Sequence, residues 1–231
     1  MNPVFAALDT TDLARAKQLA GLVGPHVGGL KLGLEFFLAQ GLANTAAVAG
    51  STPLFLDLKL HDIPNTVAGG VKAIAELKPE FLTIHAAGGS AMMRAAVAEA
   101  AEAATRTGHR IKLLGVTVLT SLDDGDLDAI GQQGPAAAQV RRLALLARSC
   151  GLDGVICSPF EVAALRAELG PDFQLVVPGI RPAGAAVGDQ KRVMGPRDAI
   201  DAGASRLVIG RPITDAPDPA AAARAIAASL L

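Results

Sequence analysis

Eight short runs of β-forming character alternate along the chain with longer segments rich in alanine and leucine. The short runs, which we interpret as strands, lie at 4–9, 28–33, 53–60, 81–86, 111–119, 154–158, 173–180 and 206–213. Strands that alternate with helices are typical of βαβ units, which pair their strands in parallel. Eight such units in 231 residues predict an α/β fold, a single (β/α)8 TIM barrel, since barrels of this kind have about 250 residues. A doubly wound open sheet is the alternative that the alternation leaves open.

The composition favours one folded domain over residues 1–231. Hydrophobic residues make up 51% of the chain and charged residues 19%, so a large core is available and no part resembles a disordered segment. No linker-like or low-complexity stretch interrupts the alternation of strands and helices. We therefore expect a single catalytic domain.

The charge pattern and the termini narrow the class of protein further. The net charge is −1 and no basic run is present, which argues against nucleic acid as a partner. No apolar stretch reaches the roughly 18 residues that a membrane span needs, and the N-terminal residues lack a signal peptide pattern. We expect a cytoplasmic protein, with Cys150 and Cys157 as buried free thiols rather than a disulfide or metal pair.

The stretch FLDLKLHD at 55–62 places two acids and a base at the end of the third strand. Side chains alternate along a strand, so Asp57, Lys59 and His61 are expected on one face and the leucines between them on the other. An ion pair on a solvated face is the ordinary explanation, but both faces of a parallel strand are covered in a βαβ fold. Buried charges are costly unless they are paired, so we place Asp57 and Lys59 at the barrel mouth, within reach of a substrate. His61, and His85 at the end of the fourth strand, are interpreted as structural.

Lys59 is the candidate proton donor. Neighbouring acids favour its charged ammonium form, whereas a Schiff-base nucleophile would need the neutral amine. Lys31 also interrupts an apolar strand and is expected near Asp57. Asp9, which closes the first strand, is either a site residue or an N-cap for the helix that starts near Thr11.

A long loop rich in glycine and alanine, PGIRPAGAAVGDQKRV, follows the seventh strand. It carries Arg181 and Gln190, which can close over a ligand and donate hydrogen bonds from a guanidinium and an amide. Gly210 and Arg211 lie near the end of the eighth strand, and barrels often bind phosphate with the loops after strands seven and eight. A surface loop with a helix cap is the alternative, but we expect a phosphorylated substrate.

The stretch DLKLHDIPNT at 57–66 resembles the signature D-x-K-x-x-D-I-P-N-T of the orotidine 5′-phosphate decarboxylase family. Other stretches are similar to the family in the family's own order and span nearly the full chain. They are LD (8–9), KLG (31–33), VTVLTS (116–121), VVPGIRP (176–182), GDQ (188–190) and VIGRPI (208–213).

The resemblance implies decarboxylation of orotidine 5′-phosphate to uridine 5′-phosphate, the last step of pyrimidine nucleotide synthesis, without a metal or organic cofactor. It implies that Lys59 protonates C6 of the pyrimidine and that Asp57 lies beside the departing carboxylate. Lys31 and Asp9 would join this charge network and contact the ribose. Asp62 would complete the catalytic group.

The resemblance also implies a homodimer, in which Asp62 and Thr66 reach into the partner's site, and a set of residues that bind the substrate. These are Thr120 or Ser121 at the base, Pro178, and Arg181, Gln190, Gly210 and Arg211 at the phosphate. Two other functions stay open. One is a magnesium-dependent sugar-phosphate lyase or synthase of the same superfamily, which shares D-x-K-x-x-D but not IPNT; the other is a non-catalytic nucleotide-binding barrel.

Overall fold

Eight parallel strands close into a barrel in sequence order in the computed structural model, which describes residues 2–182 and 194–230. The strands are β1 Val4–Ala7, β2 Gly29–Gly33, β3 Leu54–Leu60, β4 Phe81–His85, β5 Lys112–Val116, β6 Gly154–Ile156, β7 Gln174–Val177 and β8 Arg206–Ile209. The predicted (β/α)8 barrel is confirmed. The open sheet is wrong, because β1 pairs with both β2 and β8.

Helices follow the strands and cover the outside of the barrel. The helices are α1 Leu13–Val23, α2 Leu34–Ala49, α3 Pro64–Ile74, α4 Gly89–Thr107, α5 Asp124–Ala129, α6 Ala136–Ser149, α7 Val162–Leu169, α8 Pro196–Asp201, α9 Arg211–Thr214 and α10 Pro219–Ala228. Within the described residues, no helix combines the length and the apolar character that crossing a membrane requires.

Several strands end earlier than the sequence predicts. β7 ends at Val177 rather than at residue 180, because Pro178 has no backbone N–H to donate and Gly179 has a φ of +77°. β8 ends at Ile209, and Arg211 already begins a short helix. Because these two strands end early, the residues that follow them lie at the barrel mouth.

The lower part of the barrel interior is filled by aromatic side chains. Phe5, Phe55 and Phe81 pack edge to face, with ring centroids 5.5–6.0 Å apart, and each is at most 1% exposed. Gly29 makes this packing possible, since a Cβ there would lie 2.2 Å from Cε1 of Phe5. The filled interior leaves the carboxyl ends of the strands as the open end of the barrel.

The opposite face of each strand packs against the helices. Leu56 and Leu58 of β3 are 0% and 5% exposed and belong to this outer core, together with Leu30 and Leu32 of β2. Burying one such side chain contributes about 1.5–3 kcal/mol. The register of β3 is therefore strongly specified, because a slip by one residue would bury Asp57 among the helices and move the leucines inward.

Candidate active site

A cavity of about 270 Å³ lies at the carboxyl ends of the strands. Nine of the residues singled out in the sequence line it: Asp9, Lys31, Asp57, Lys59, Thr120, Pro178, Arg181, Gly210 and Arg211. They come from six different strands or the segments that follow them. Parallel strands of a barrel bring their carboxyl ends to one rim, which is why residues so far apart in sequence meet here.

Four charged side chains form a continuous network on one side of this cavity. Oδ2 of Asp57 lies 2.8 Å from Nζ of Lys59 and 3.3 Å from Nζ of Lys31. The same Lys31 Nζ lies 3.4 Å from Oδ1 of Asp9. Asp57 and Lys31 are largely buried, whereas the Lys59 side chain is 37% exposed and so is the more accessible of the two amines.

The network holds its central groups in their charged forms. Burial by itself raises the pKa of Asp57, but the charges of Lys31 and Lys59 and the hydrogen bonds from Lys59 and Thr83 outweigh it, and the pKa lies below its usual value. Burial lowers the pKa of Lys31, but Asp57 and Asp9 outweigh that effect and the pKa is raised. The Asp57 carboxylate and the Lys31 ammonium can therefore coexist at the mouth.

The backbone at Lys59 departs from regular strand geometry. Its φ is +50°, in the left-handed region that costs a non-glycine residue about 1–3 kcal/mol. The pairing of β3 with β4 is irregular at the same place, between Leu56 and Leu60. Such outliers are typical of functional sites.

This irregularity breaks the strict alternation expected from the sequence. Asp57 and Lys59 do share the cavity side, but His61 lies beyond the end of β3 and is not among the residues that line the cavity. Its ring packs against that of His85, with centroids 5.1 Å apart. Burial, followed by the effects of His61 and Lys59, lowers the pKa of His85, so its imidazole is neutral at physiological pH.

A second polar group lines the same cavity from the segments that follow β7 and β8, and consists of Arg181, Gly210 and Arg211. Arg181 is positioned by a hydrogen bond from its backbone N–H to the carbonyl of Met194, 3.0 Å away. Gly210 lies beside Ala7 of β1 and Asp9, since a Cβ there would be in ordinary contact, 3.5 Å, with Cβ of Ala7 and Oδ2 of Asp9. Gln190, predicted with this group, lies outside the described residues.

The rest of the cavity wall is mostly apolar. Val116, Val118, Ile156 and Cys157 line it, and none of them was singled out in the sequence as a site residue. Burial raises the pKa of the Cys157 thiol, which keeps it protonated and unreactive. Cys150 is also buried, and both cysteines are free thiols, as predicted.

Three predicted residues do not reach the cavity of their own chain. Asp62 is exposed and accepts a hydrogen bond from the backbone N–H of Ile63 at 2.6 Å. Thr66, in the first turn of α3, is exposed as well. Ser121 is exposed, whereas the adjacent Thr120 lines the cavity.

Sequence reasoning also missed Thr83 of β4. It is fully buried and donates a hydrogen bond from its hydroxyl to Oδ1 of Asp57 at 2.9 Å. The available signal was its position two residues after Phe81, which places it on the inward face of the strand.

The closed barrel and the charged groups at its C-terminal mouth define a (β/α)8 barrel enzyme. The comparisons with known proteins agree and are more specific. The model of the "Orotidine 5'-phosphate decarboxylase / HUMPS family" matches residues 2–226, and the chain belongs to that family.

Curated relatives align with this chain over 99–100% of its length. An orotidine 5′-phosphate decarboxylase of Thermobifida fusca (strain YX) is 56% identical over 99% of this chain and 95% of its own length. One of Rhodospirillum rubrum is 54% identical over 100% of this chain and 94% of its own length. Among solved structures, that of orotidine 5′-phosphate decarboxylase from Lactobacillus acidophilus superimposes with a TM-score of 0.88 at 41% identity, and covers 100% of this chain and 99% of that chain.

Proposed function

We propose that this protein decarboxylates orotidine 5′-phosphate to uridine 5′-phosphate and CO2, the last step of pyrimidine nucleotide synthesis. One observation carries the proposal: Lys59, Asp57, Lys31 and Asp9 form one ion network at the mouth of a barrel of this family. We propose further that residues 1–231 act as one catalytic domain in the cytoplasm, and that no metal or organic cofactor takes part.

Lys59 is proposed as the proton donor to C6. Loss of CO2 leaves a carbanion whose lone pair lies in the plane of the ring, where the π system does not delocalise it. An ammonium about 4 Å away at an effective dielectric constant of about 20 stabilises that charge by about 4 kcal/mol, or about three orders of magnitude in rate. The same ammonium then transfers its proton to C6. The exposure of Lys59 towards the cavity supports this role.

Asp57 is proposed to act on the substrate carboxylate. Two lysines hold its Oδ2, and Thr83 holds its Oδ1, so the group has little freedom to turn away from a second negative charge. Repulsion between the two carboxylates raises the energy of the bound substrate and disappears as CO2 leaves. Lys31 keeps Asp57 ionised, which this contribution requires.

The part of the cavity lined by Arg181, Gly210 and Arg211 is proposed to bind the phosphate. Arg181 and Arg211 carry guanidinium groups that match phosphate oxygens in a bidentate geometry, and Gly210 allows the backbone to approach. We assign Gln190 to the same group from the sequence. Binding energy from the phosphate offsets the cost of placing the substrate carboxylate beside Asp57.

The pyrimidine is proposed to lie between the two polar groups. The wall formed by Val116, Val118 and Ile156 suits a flat ring, and Thr120 and Pro178 lie on the same cavity. The Thr120 hydroxyl is suited to hydrogen-bond the polar edge of the base.

The functional unit is proposed to be a homodimer in which Asp62 and Thr66 complete the partner's site. Both are exposed at the mouth rather than directed into their own cavity, and the adjacent Ile63 is 66% exposed. Helix α2, which follows the neighbouring strand, presents Leu34, Leu38 and others to solvent, with Leu38 74% exposed. Apolar side chains so exposed are typical of surfaces that a second subunit covers.

The function is tested by following the loss of absorbance as purified protein consumes orotidine 5′-phosphate in EDTA. Turnover is expected, and Lys59→Ala should abolish it while uridine 5′-phosphate still binds. If orotidine 5′-phosphate is not consumed, but a sugar phosphate is converted once magnesium replaces the EDTA, the result would instead support a lyase or synthase of the same superfamily. Binding of uridine 5′-phosphate with no turnover under either condition would support a non-catalytic barrel.

The homodimer is tested with two variants, Lys59→Ala and Asp62→Ala, each inactive by itself if both residues serve the site. Mixed dimers of the two variants contain one intact site. Recovery of about a quarter of the wild-type activity on mixing is the expectation for random exchange of subunits. No recovery, with exchange demonstrated, would place Asp62 in its own chain's site.

A further inference from the structure

Thr83 connects the two groups that the proposed chemistry uses most directly. It lies in the middle of β4 and is 0% exposed. Its hydroxyl oxygen accepts a hydrogen bond from the backbone N–H of Lys59 at 2.9 Å, and the hydroxyl donates to Oδ1 of Asp57 at 2.9 Å. The direction of both bonds is fixed, because a backbone N–H only donates and an ionised carboxylate only accepts.

The hydrogen bond from the Lys59 N–H to the Thr83 hydroxyl takes the place of a backbone hydrogen bond between β3 and β4. Leu56 pairs with Leu82 and Leu60 pairs with Ile84, so β3 advances four residues (60 − 56) while β4 advances two (84 − 82). Extra residues in one strand lose regular ladder partners. The N–H of Lys59 lies within this irregular segment, and the Thr83 hydroxyl satisfies it.

The same hydroxyl therefore restrains two parts of the site, the backbone of Lys59 and the carboxylate of Asp57. Through the N–H it stabilises the left-handed backbone of Lys59, whose φ is +50°. Through Oδ1 it fixes the rotation of the Asp57 carboxylate, whose other oxygen contacts Nζ of Lys59 at 2.8 Å. A closed ring results, from the Lys59 backbone through Thr83 and Asp57 back to the Lys59 ammonium.

We propose that Thr83 is a positioning residue for the reaction: its single hydroxyl ties the backbone turn at Lys59 to the orientation of Asp57, and so fixes the proton donor and the carboxylate relative to each other. This inference rests on the proposed function, since it assigns Thr83 to the same site. Thr83 does not line the cavity, and it acts on the substrate only through its two neighbours.

The test compares Thr83→Val, which keeps the shape but removes the hydroxyl, with Thr83→Ser, which keeps the hydroxyl but removes the methyl group. A misplacement of about 1 Å in a catalytic group can cost on the order of 100-fold in rate. We expect Thr83→Val to lower kcat by about 10- to 100-fold, with affinity for uridine 5′-phosphate unchanged within about threefold. Thr83→Ser is expected to restore kcat to within about threefold of wild type.

Thr117→Val is the matched control for loss of a buried threonine hydroxyl. Thr117 is 4% exposed and donates to the carbonyl of Ile156 at 2.8 Å, near the end of a neighbouring strand, but it is bonded to neither Asp57 nor Lys59. We expect a similar loss of thermal stability in Thr117→Val and Thr83→Val. The loss of kcat should appear in Thr83→Val alone.

Three results would overturn the inference. They are a Thr83→Val enzyme with wild-type kcat, equal losses in the valine and serine variants, and equal losses of kcat in Thr83→Val and Thr117→Val. If Thr83→Val does not fold, Thr83→Ala takes its place against Thr83→Ser with the same expectations.

A crystal structure of the valine variant separates this inference from the proposed function. Even if the wild-type protein does not consume orotidine 5′-phosphate, the variant should lose the positive φ at residue 59 or the 2.8 Å contact between Lys59 and Asp57. Retention of both would refute the positioning role whatever the substrate is.

Discussion

Replacing Asp57 by asparagine removes the negative charge that lies between two lysines. At an effective dielectric constant of about 20, the contacts of 2.8 Å to Lys59 and 3.3 Å to Lys31 correspond to attractions of about 6 and 5 kcal/mol. Desolvation of the buried groups offsets much of this gain. Removing one partner of a buried pair costs about 3–5 kcal/mol, because the other charge is left buried and uncompensated.

The structure assigns most of that cost to Lys31. The side chain of Lys59 is 37% exposed and its ammonium can return to water, whereas the side chain of Lys31 is 12% exposed. Of the two ion pairs that Lys31 makes within the described residues, the substitution leaves the one of 3.4 Å with Asp9, whose side chain is 64% exposed. We therefore expect Asp57→Asn to lower the free energy of unfolding by about 3–5 kcal/mol, and the double variant Asp57→Asn, Lys31→Met to recover a large part of the loss.

The assay is urea unfolding of the single variants and the double variant, analysed as a double-mutant cycle. At about 2–4 °C for each kcal/mol, the thermal midpoint of Asp57→Asn should fall by about 6–20 °C. Asp201→Asn, which breaks the exposed i,i+4 pair with Arg197 at 3.1 Å, is the control and should cost at most about 0.5 kcal/mol. The reasoning is refuted if Asp57→Asn resembles this control, or if the double variant is less stable than Asp57→Asn.

Three further outcomes are expected. Arg211→Ala should raise KM about 10- to 100-fold with a smaller effect on kcat, since it removes charged hydrogen bonds of about 1.5–3 kcal/mol; an unchanged KM in steady-state kinetics would count against the phosphate assignment. Because the pKa of Asp57 is lowered in the folded state, its carboxylate stabilises the fold above pH about 4, and this contribution is lost as the pH falls through the folded pKa. Because the pKa of Lys31 is raised, its ammonium stabilises the fold below pH about 10.4, and this contribution is lost as the pH rises through the folded pKa. Unfolding measured against pH should show a weaker acid loss in Asp57→Asn than in wild type. Arg166→Ala should lower the free energy of unfolding by about 2–4 kcal/mol and leave kcat unchanged, because its guanidinium donates to four backbone carbonyls and one hydroxyl in the segments that precede β7 and β8, and it does not line the cavity. A loss of kcat at full stability would contradict this.

The position of each charged residue relative to the strand ends was predictable from the sequence. Strand periodicity places Asp57 and Lys59 on one side and the leucines on the other, and the buried leucines then specify the register. Because all eight strands are parallel and joined in order, residues that follow β1, β7 and β8 must meet at one rim. The polar groups of the mouth follow from these two rules.

Other features required the register between strands. Thr83 contacts Asp57 because β3 pairs with β4 in the register set by Phe55 with Phe81 and Leu56 with Leu82, and the positive φ of Lys59 belongs to the irregular segment that follows. Which of Thr120 and Ser121 lines the cavity depends on how the chain turns after β5. Neither a periodicity of two nor a local motif contains this information.

Local pattern and chain order therefore determined the fold and the set of residues at the mouth of the barrel, because alternation and burial are properties of neighbouring residues. The tertiary structure alone decided how those residues are bonded to one another. Hydrogen bonds such as that from Thr83 to Asp57, 26 residues apart, depend on distances of a few tenths of an ångström between strands. Such distances result from the packing of the whole barrel, and no stretch of sequence specifies them by itself.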